Sequence, residues 1–274
     1  MAGTLFIVST PIGNLADFTE RAREVLAQVD VVAAEDTRTT GRLLDSAGVR
    51  ARLLSYHDHN EESRTVQLLE RLLDGDNVAL VSDAGTPLIS DPGYRLVKAC
   101  HEAQVPVVPV PGASALLAAL VVAGLPTDRF LFAGFLPAKG KAREQALEQL
   151  AAEPVTTVVY ESPRRLVSLV EGLCQQCGGE RQVVLCRELT KRFETVISGS
   201  LADLAARLAA DSDQLRGEMV LVLSPAPAAR TADADLVPLA RLLLAELPVS
   251  RAARVLAQWT GRPRAEMYRM LEAL

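Results

Sequence analysis

The chain has 274 residues, 49% of them apolar, enough to build two sizeable cores and too apolar for a disordered polymer. Its net charge of −5, from 29 basic and 34 acidic side chains, excludes a chain-wide attraction to a polyanion or an anionic membrane, so any contact with nucleic acid must be local. Four cysteines, Cys100, Cys174, Cys177 and Cys186, are too few and too irregularly spaced for a disulfide framework, and this fits a reducing, cytoplasmic setting.

Taken in chain order, "TLFIVS" reads as a first strand. No basic region precedes it and no small-residue cleavage pattern follows, so a signal peptide is not expected. A helix from Thr19, a strand "VVAAE", a helix from Thr37, a strand "ARLLSY", a helix from about Asn60 and a strand "NVALVS" follow. Continuous apolar strands need cover on both faces, which predicts a mostly parallel sheet wrapped in helices. Ala103–Thr127 carries no charge and is long enough on paper for a membrane span. Pro106, Pro109, Pro111 and Gly112 break its first half, leaving Ala113–Val122 as a buried core helix. No membrane contact is expected.

Beyond that helix the pattern changes. "RFLFAGFL", "VTTVVYES", "RQVVLCREL", "FETVISGS" and "GEMVLVLS" are five further strands, four of them close together without helical crossovers, which predicts a second sheet with antiparallel pairing. The fold class is α/β, with an N-terminal α/β domain over residues 1–115 and a second over 116–225 built on a mixed sheet. "SPAPAARTADAD", Ser224–Asp235, has the composition of a linker. A helical tail over 233–274 completes the chain. There Ser250 is placed to cap one helix, Gly261 to end it and Pro263 to open the next, a helix-turn-helix-like arrangement. From Pro248 onward five arginines face two glutamates. This local net +3 makes Arg262 and Arg264, flanking Pro263 at a helix start, candidate phosphate contacts.

Three strand ends share an unusual density of breakers: "STPIGN", "SDAGTPLISDPG" and "VPGASA". Any one of them is satisfied by a tight turn. Three together predict a ligand cleft at the carboxyl ends of the strands, where such loops converge. None matches a dinucleotide or P-loop fingerprint. Asp83, at the end of a buried strand, must be satisfied by loop amides or by a ligand. Cys174 and Cys177 lack a second ligand pair and read as a helix end, while His57 and His59 read as a solvated loop, so no metal is expected. "EDTRTTGRLL" combines acids, hydroxyls and basic donors at a helix start, where a capping box at Thr37 competes with a substrate role that includes Arg38. "YESPRRL" places Tyr160, Glu161, Arg164 and Arg165 at a strand-to-helix turn, where the arginines meet phosphate or cover surface.

In this order "TPIGNLADFTERA", "AEDTRTTGRLL", "SDAGTPLISDPGYRLV", "PVPGASALLAALVVAGLPTDRFLFAGFLP", "VYESPRRL" and "GEMVLVL" resemble the tetrapyrrole-methylase superfamily. Within it they look like the branch that methylates a cytidine ribose 2′-hydroxyl in small-subunit (16S) ribosomal RNA. The resemblance runs from about residue 3 to the C-terminus. It implies two α/β domains with S-adenosylmethionine in the cleft between them, a homodimer, and the RNA or an assembled small subunit as substrate. Pro11, Asp83, Ala84, Gly85, Thr86, Ile89, Ser114 and Ala115 would then line the cofactor, with Tyr160 and Met219 near its adenine. Many superfamily members carry a "GDP"-type loop where this chain has Asp83-Ala84-Gly85-Thr86-Pro87.

Methyl transfer to a ribose oxygen is an in-line displacement helped by a general base. Asp36 is the first candidate for that base, with Glu35, Asp91 and Lys191 as alternatives. The competing readings are methylation of a tetrapyrrole carbon in the same cleft and an RNA-binding module with a vestigial cleft. The arginine-bearing tail favours RNA.

Overall fold

The computed structural model describes residues 2–227 and 233–274; of the expected linker, residues 228–232 lie outside them. The chain divides into two compact units, residues 1–225 and 226–274.

The first half of the larger unit carries the five parallel strands β1 Leu5–Val8, β2 Val31–Ala34, β3 Leu53–Ser55, β4 Val78–Val81 and β5 Val107–Val110, in the order β3-β2-β4-β1-β5. Helices α1 Glu20–Gln28, α2 Thr37–Ser46, α3 Glu61–Leu73 and α4 Tyr94–Glu102 make the crossovers. β2 and β4 are buried along their whole length, as their unbroken apolar runs require. The hydroxyl of Thr19 caps α1 by accepting the Ala22 N–H.

β5 corrects the expectation that the prolines simply break Ala103–Thr127. Pro109 lies within β5, opposite Ile7 of β1, and β5 is the sheet edge, a position that tolerates a residue without a ladder donor. The helix that follows, α5 Ala115–Val122, is not a wholly buried helix either. Leu116, Ala119 and Leu120 pack into the core, whereas Leu117, Val121 and Val122 are exposed.

The second sheet holds β6 Phe130–Phe135, β7 Thr156–Glu161, β8 Gln182–Arg187, β9 Thr195–Ser200 and β10 Met219–Leu223, in the order β6-β7-β10-β8-β9. β6 and β7 are parallel and the remaining pairs antiparallel. Helices α6 Lys141–Ala152, α7 Pro163–Cys177 and α8 Leu201–Ala210 interrupt the run. Only β8 and β9 follow one another without a helix, fewer than the four expected, because the other neighbours are brought together across the sheet and not along the chain.

α5 covers one face of this sheet, in a cluster that also takes Ile12 from the loop after β1. α6, α7 and α8 cover the other face. Arg181 is buried at the edge of that core, donating to the carbonyls of Leu150, Ala151 and Ser224, so one guanidinium satisfies the last turn of α6 and the end of β10.

The smaller unit has α9 Asp233–Glu246, α10 Val249–Thr260 and α11 Arg264–Glu272 around its own core of Leu236, Ala240, Ala252, Ala253, Leu256, Met267 and Leu271. Gly261 ends α10 in the left-handed region, as expected. Pro248, not Ser250, occupies the cap position of α10, and Pro263 precedes α11 instead of lying inside its first turn.

A candidate cofactor and substrate cleft

β4, β1 and β5 are neighbours in the first sheet, so the three breaker-rich loops leave adjacent strands at the same edge. They are laced together. The backbones of Thr10 and Gly85 exchange two hydrogen bonds, 2.8 and 3.0 Å. The hydroxyls of Ser9 and Thr86 are 2.9 Å apart, and Thr86 donates to the Ala113 carbonyl at 3.0 Å. Leu88, Ser90 and Gly85 all have positive φ (72°, 70° and 87°), so the density of glycine and proline in Ser82–Gly93 follows from a backbone wound tightly at the strand end.

A cavity of about 420 Å³ opens between these loops and the second sheet, within the size range of small-molecule sites. Asp83, Ala84, Gly85, Thr86, Ile89, Ser114, Ala115, Tyr160 and Met219 line it. Pro11 does not: it is buried, and the following residue, Ile12, forms the wall in its place. Sequence reasoning missed Phe135, Glu161, Cys186, Leu189 and Glu218, which also line the cavity. They come from the second sheet, the β8–β9 loop and the residue just before β10, and no local motif marks a residue that reaches a site from across the fold. Phe132 and Phe135 stand edge-on to the Tyr160 ring, with centroids 4.9 and 5.5 Å away.

Every Asp, Glu, Lys or Arg lining the cavity is an acid: Glu35, Asp83, Asp91, Glu161 and Glu218. Burial raises the pKa of Glu35 and of Asp83. Asp91 is pushed up to about 6, first by burial and then by the charge of Glu35. Glu161 is paired with Arg165 and Arg143, and Glu218 with Lys191, so Glu35, Asp83 and Asp91 give the lining its negative charge; such a lining suits a compact ligand that carries positive charge on an apolar body.

Two of the proposed bases are placed differently from expectation. The carboxylate of Asp36 caps α2, accepting the Arg38 N–H at 2.8 Å, and pairs with the Arg38 guanidinium at 2.6 Å. That hydrogen-bonded pair holds it far below the usual carboxylate range, a poor setting for accepting a proton. Asp36 is therefore the helix cap, in place of a capping box at Thr37, and it does not line the cavity. Lys191 lies outside the lining as well. Its ammonium bonds Glu188 at 2.9 Å and Glu218 at 3.1 Å. Burial disfavours its charge, but these bonds outweigh it and raise its pKa, so it stays protonated.

The arginines divide similarly. Arg38 is 84% exposed beside Asp36, and Arg164 is exposed. Arg165 points inward to Glu161 at 2.6 Å and to the Leu136 carbonyl. In the smaller unit Arg262 is 14% exposed and paired with Glu266 at 2.6 Å, while the exposed Arg264 donates to the Ser250 carbonyl. Arg165 and Arg262 are thus internal braces and not open phosphate contacts. Cys174 and Cys177 sit in the last turn of α7, with Gly178 as its cap. Among the described residues no group of three or more His, Cys, Asp or Glu is arranged to hold a metal ion, and no helix is long and apolar enough to cross a membrane.

Residues 4–205 match the family model for tetrapyrrole (corrin/porphyrin) methylases, and residues 230–274 match that of the RsmI C-terminal HTH domain. The chain is 50% identical over 268 residues to a protein of Escherichia coli O157:H7 named ribosomal RNA small subunit methyltransferase I, covering 97% of this chain and 94% of that one. A protein of the same name from Haemophilus influenzae is 45% identical, covering 98% and 96%. Among solved structures, uroporphyrin-III C-methyl transferase from Thermus thermophilus, complexed with S-adenyl homocysteine, shares the fold with a TM-score of 0.56 at 21% identity, covering 81% of this chain and 97% of that one. The chain belongs to the tetrapyrrole (corrin/porphyrin) methylase family, among the proteins named ribosomal RNA small subunit methyltransferase I.

Proposed function

We propose that this protein uses S-adenosylmethionine to methylate the ribose 2′-hydroxyl of a cytidine in 16S ribosomal RNA, acting in the cytoplasm on the small subunit. The cofactor occupies the cleft between the 1–115 and 116–225 halves. The observation that carries the reading is the cavity's acidic lining beneath three laced loops. A positively charged cofactor is favoured there, and Asp83, the loop amides around Gly85, Ser114 and the Tyr160 ring would hold it. When bound, it supplies a methyl group carried on a sulfonium. A tetrapyrrole with several carboxylates would meet like charge at the same walls, so the tetrapyrrole reading is disfavoured. Incubating purified protein with labelled S-adenosylmethionine and small ribosomal subunits, then mapping the labelled ribose, tests the reading. Label in one cytidine ribose is expected; label only in an added tetrapyrrole would overturn it.

The chain's own contribution is to orient the acceptor hydroxyl and take its proton. Of the carboxylates in the cavity Asp91 is the best base, because its pKa of about 6 leaves it ionised at neutral pH yet able to bind a proton. Asp91→Asn is expected to lower kcat about 100-fold or more with cofactor affinity retained. The wild-type rate should rise with pH through about 6 and then level off. The folded state holds the Asp91 proton more tightly than the unfolded chain does. Stability from that proton is therefore lost as pH rises through about 6, and Asp91→Asn should melt higher than wild type above that pH. Asp36→Asn should turn over within about two-fold of wild type, since Asn is as good a helix cap as Asp. A collapse of turnover in Asp36→Asn with none in Asp91→Asn would return the role to Asp36.

The uncovered apolar face of α5, with Leu117, Val121 and Val122 exposed, supports a homodimer. Sedimentation of Val121→Asp should show monomers. The tail supports RNA capture, with Arg251, Arg254, Arg264 and Arg269 all exposed. Removing residues 233–274 should leave cofactor affinity unchanged while subunit binding weakens and its salt dependence becomes shallower. Equal binding at every salt concentration would remove the tail from substrate capture.

A further inference from the structure

The loop joining β8 to β9 forms part of the cavity wall on its inner side. Leu189 is buried and lines the cavity. Lys191 lies across Gly13, beside the cavity residue Ile12, so closely that a Cβ on Gly13 would meet the lysine stem.

The loop is tightly held. Glu188 and Thr190 both have positive φ, 52° and 66°. The Glu188 N–H donates to the Glu218 carbonyl, and the Glu218 N–H returns a bond to the Glu188 carboxylate. The Thr190 N–H donates to Glu194 at 2.6 Å, and the N–H groups of Lys191 and Glu194 close two further turns. This wound segment presents Phe193, 63% exposed, with the Arg192 guanidinium carbon 5.5 Å from the ring centroid.

A rigid mount that carries an exposed aromatic ring with a cation over it, on a loop whose Leu189 lines the cleft, has the chemistry of a single-stranded nucleic-acid platform. The ring offers a face for a base and the guanidinium a partner for the adjoining phosphate. We infer that Phe193 is a substrate-recognition residue on which a base of the single-stranded RNA stacks next to the nucleotide being methylated, with Arg192 holding the neighbouring phosphate. This rests on the RNA reading above. The cavity is acidic, so it repels the backbone phosphates and admits little beyond the cofactor and a ribose edge; the binding energy for RNA must come from outside it, and this loop joins an exposed aromatic ring and a cation to the cavity wall.

The test uses the full-length protein with unmethylated small subunits and compares wild type, Phe193→Ala, Phe193→Trp and Arg192→Ala. Phe193→Ala should raise KM for subunits about ten-fold or more, with cofactor affinity, thermal midpoint and sedimentation unchanged, and Phe193→Trp should restore the wild-type value. The Phe193→Ala defect should persist at high salt, because stacking involves no counterion release. The Arg192→Ala defect should fade as salt rises. Wild-type KM in Phe193→Ala, a defect that Trp fails to restore, or a shift in sedimentation that makes the ring a subunit contact would each overturn the inference while transfer by the wild type continued. If the wild type transferred nothing to subunits, the RNA reading itself would fall and this inference with it.

Discussion

Gly85→Val is expected to abolish cofactor binding by calorimetry while leaving a folded protein. The residue sits at φ +87°, where an L side chain costs about 1–2 kcal/mol and a β-branched one more. A Cβ there would lie 3.3 Å from the Ile12 Cγ2, so the branches of valine would press on the cavity wall as well. Relief requires the loop to turn, which breaks the two bonds between Thr10 and Gly85 and displaces Ala84 and Thr86 from the lining. The strain and the lost bonds together are worth about 3 kcal/mol or more, at least a 100-fold loss of affinity. Gly85→Ala should show a smaller loss of about ten-fold from φ strain alone. Unchanged affinity for S-adenosylmethionine in both variants would remove this loop from the cofactor site.

The largest effect on stability is expected for Glu161→Ala. Its side chain is fully buried, with Arg165 at 2.6 Å and the nearly buried Arg143 at 3.5 Å, and it also accepts the Ser162 N–H at 2.7 Å. Removing the carboxylate strands two guanidiniums with little solvent, which costs about 3–5 kcal/mol. For a unit of this size that lowers the melting midpoint by roughly 10 °C. Glu161→Gln keeps the shape and one acceptor and should fall between the two. Replacing Glu161, Arg143 and Arg165 together with methionines should recover much of the loss, because no uncompensated charge then remains. A midpoint within 2 °C of wild type for Glu161→Ala, on a scale of roughly 2–4 °C per kcal/mol, would mean that water reaches and screens both arginines.

The sequence alone determined the elements and the place of the cleft. Unbroken apolar runs such as "NVALV" have no stable position except between two covering layers, and β4 is buried throughout. Twelve residues holding two glycines, two prolines and two aspartates can only wind, and Ser82–Gly93 does so beside the cavity. These are local constraints, and the chain states them locally. What a charge does is decided elsewhere, because it depends on what lies beside it in space. Arg165 and Arg262 read as phosphate contacts in a string, yet each lies 2.6 Å from a carboxylate four residues away in the chain. Asp36 reads as a base until its own helix start and Arg38 claim it. Asp91 shows nothing in the string to set it above its neighbours; only burial beside Glu35 raises it into the useful range. The five strands of the second half were legible as strands, but which ones pair was not. Their order β6-β7-β10-β8-β9 is set by the packing of α5 on one face and α6, α7 and α8 on the other. That packing brings Glu161, Leu189 and Glu218, far apart in the chain, to one wall of a single cavity, a convergence that belongs to the tertiary structure because no single segment contains it.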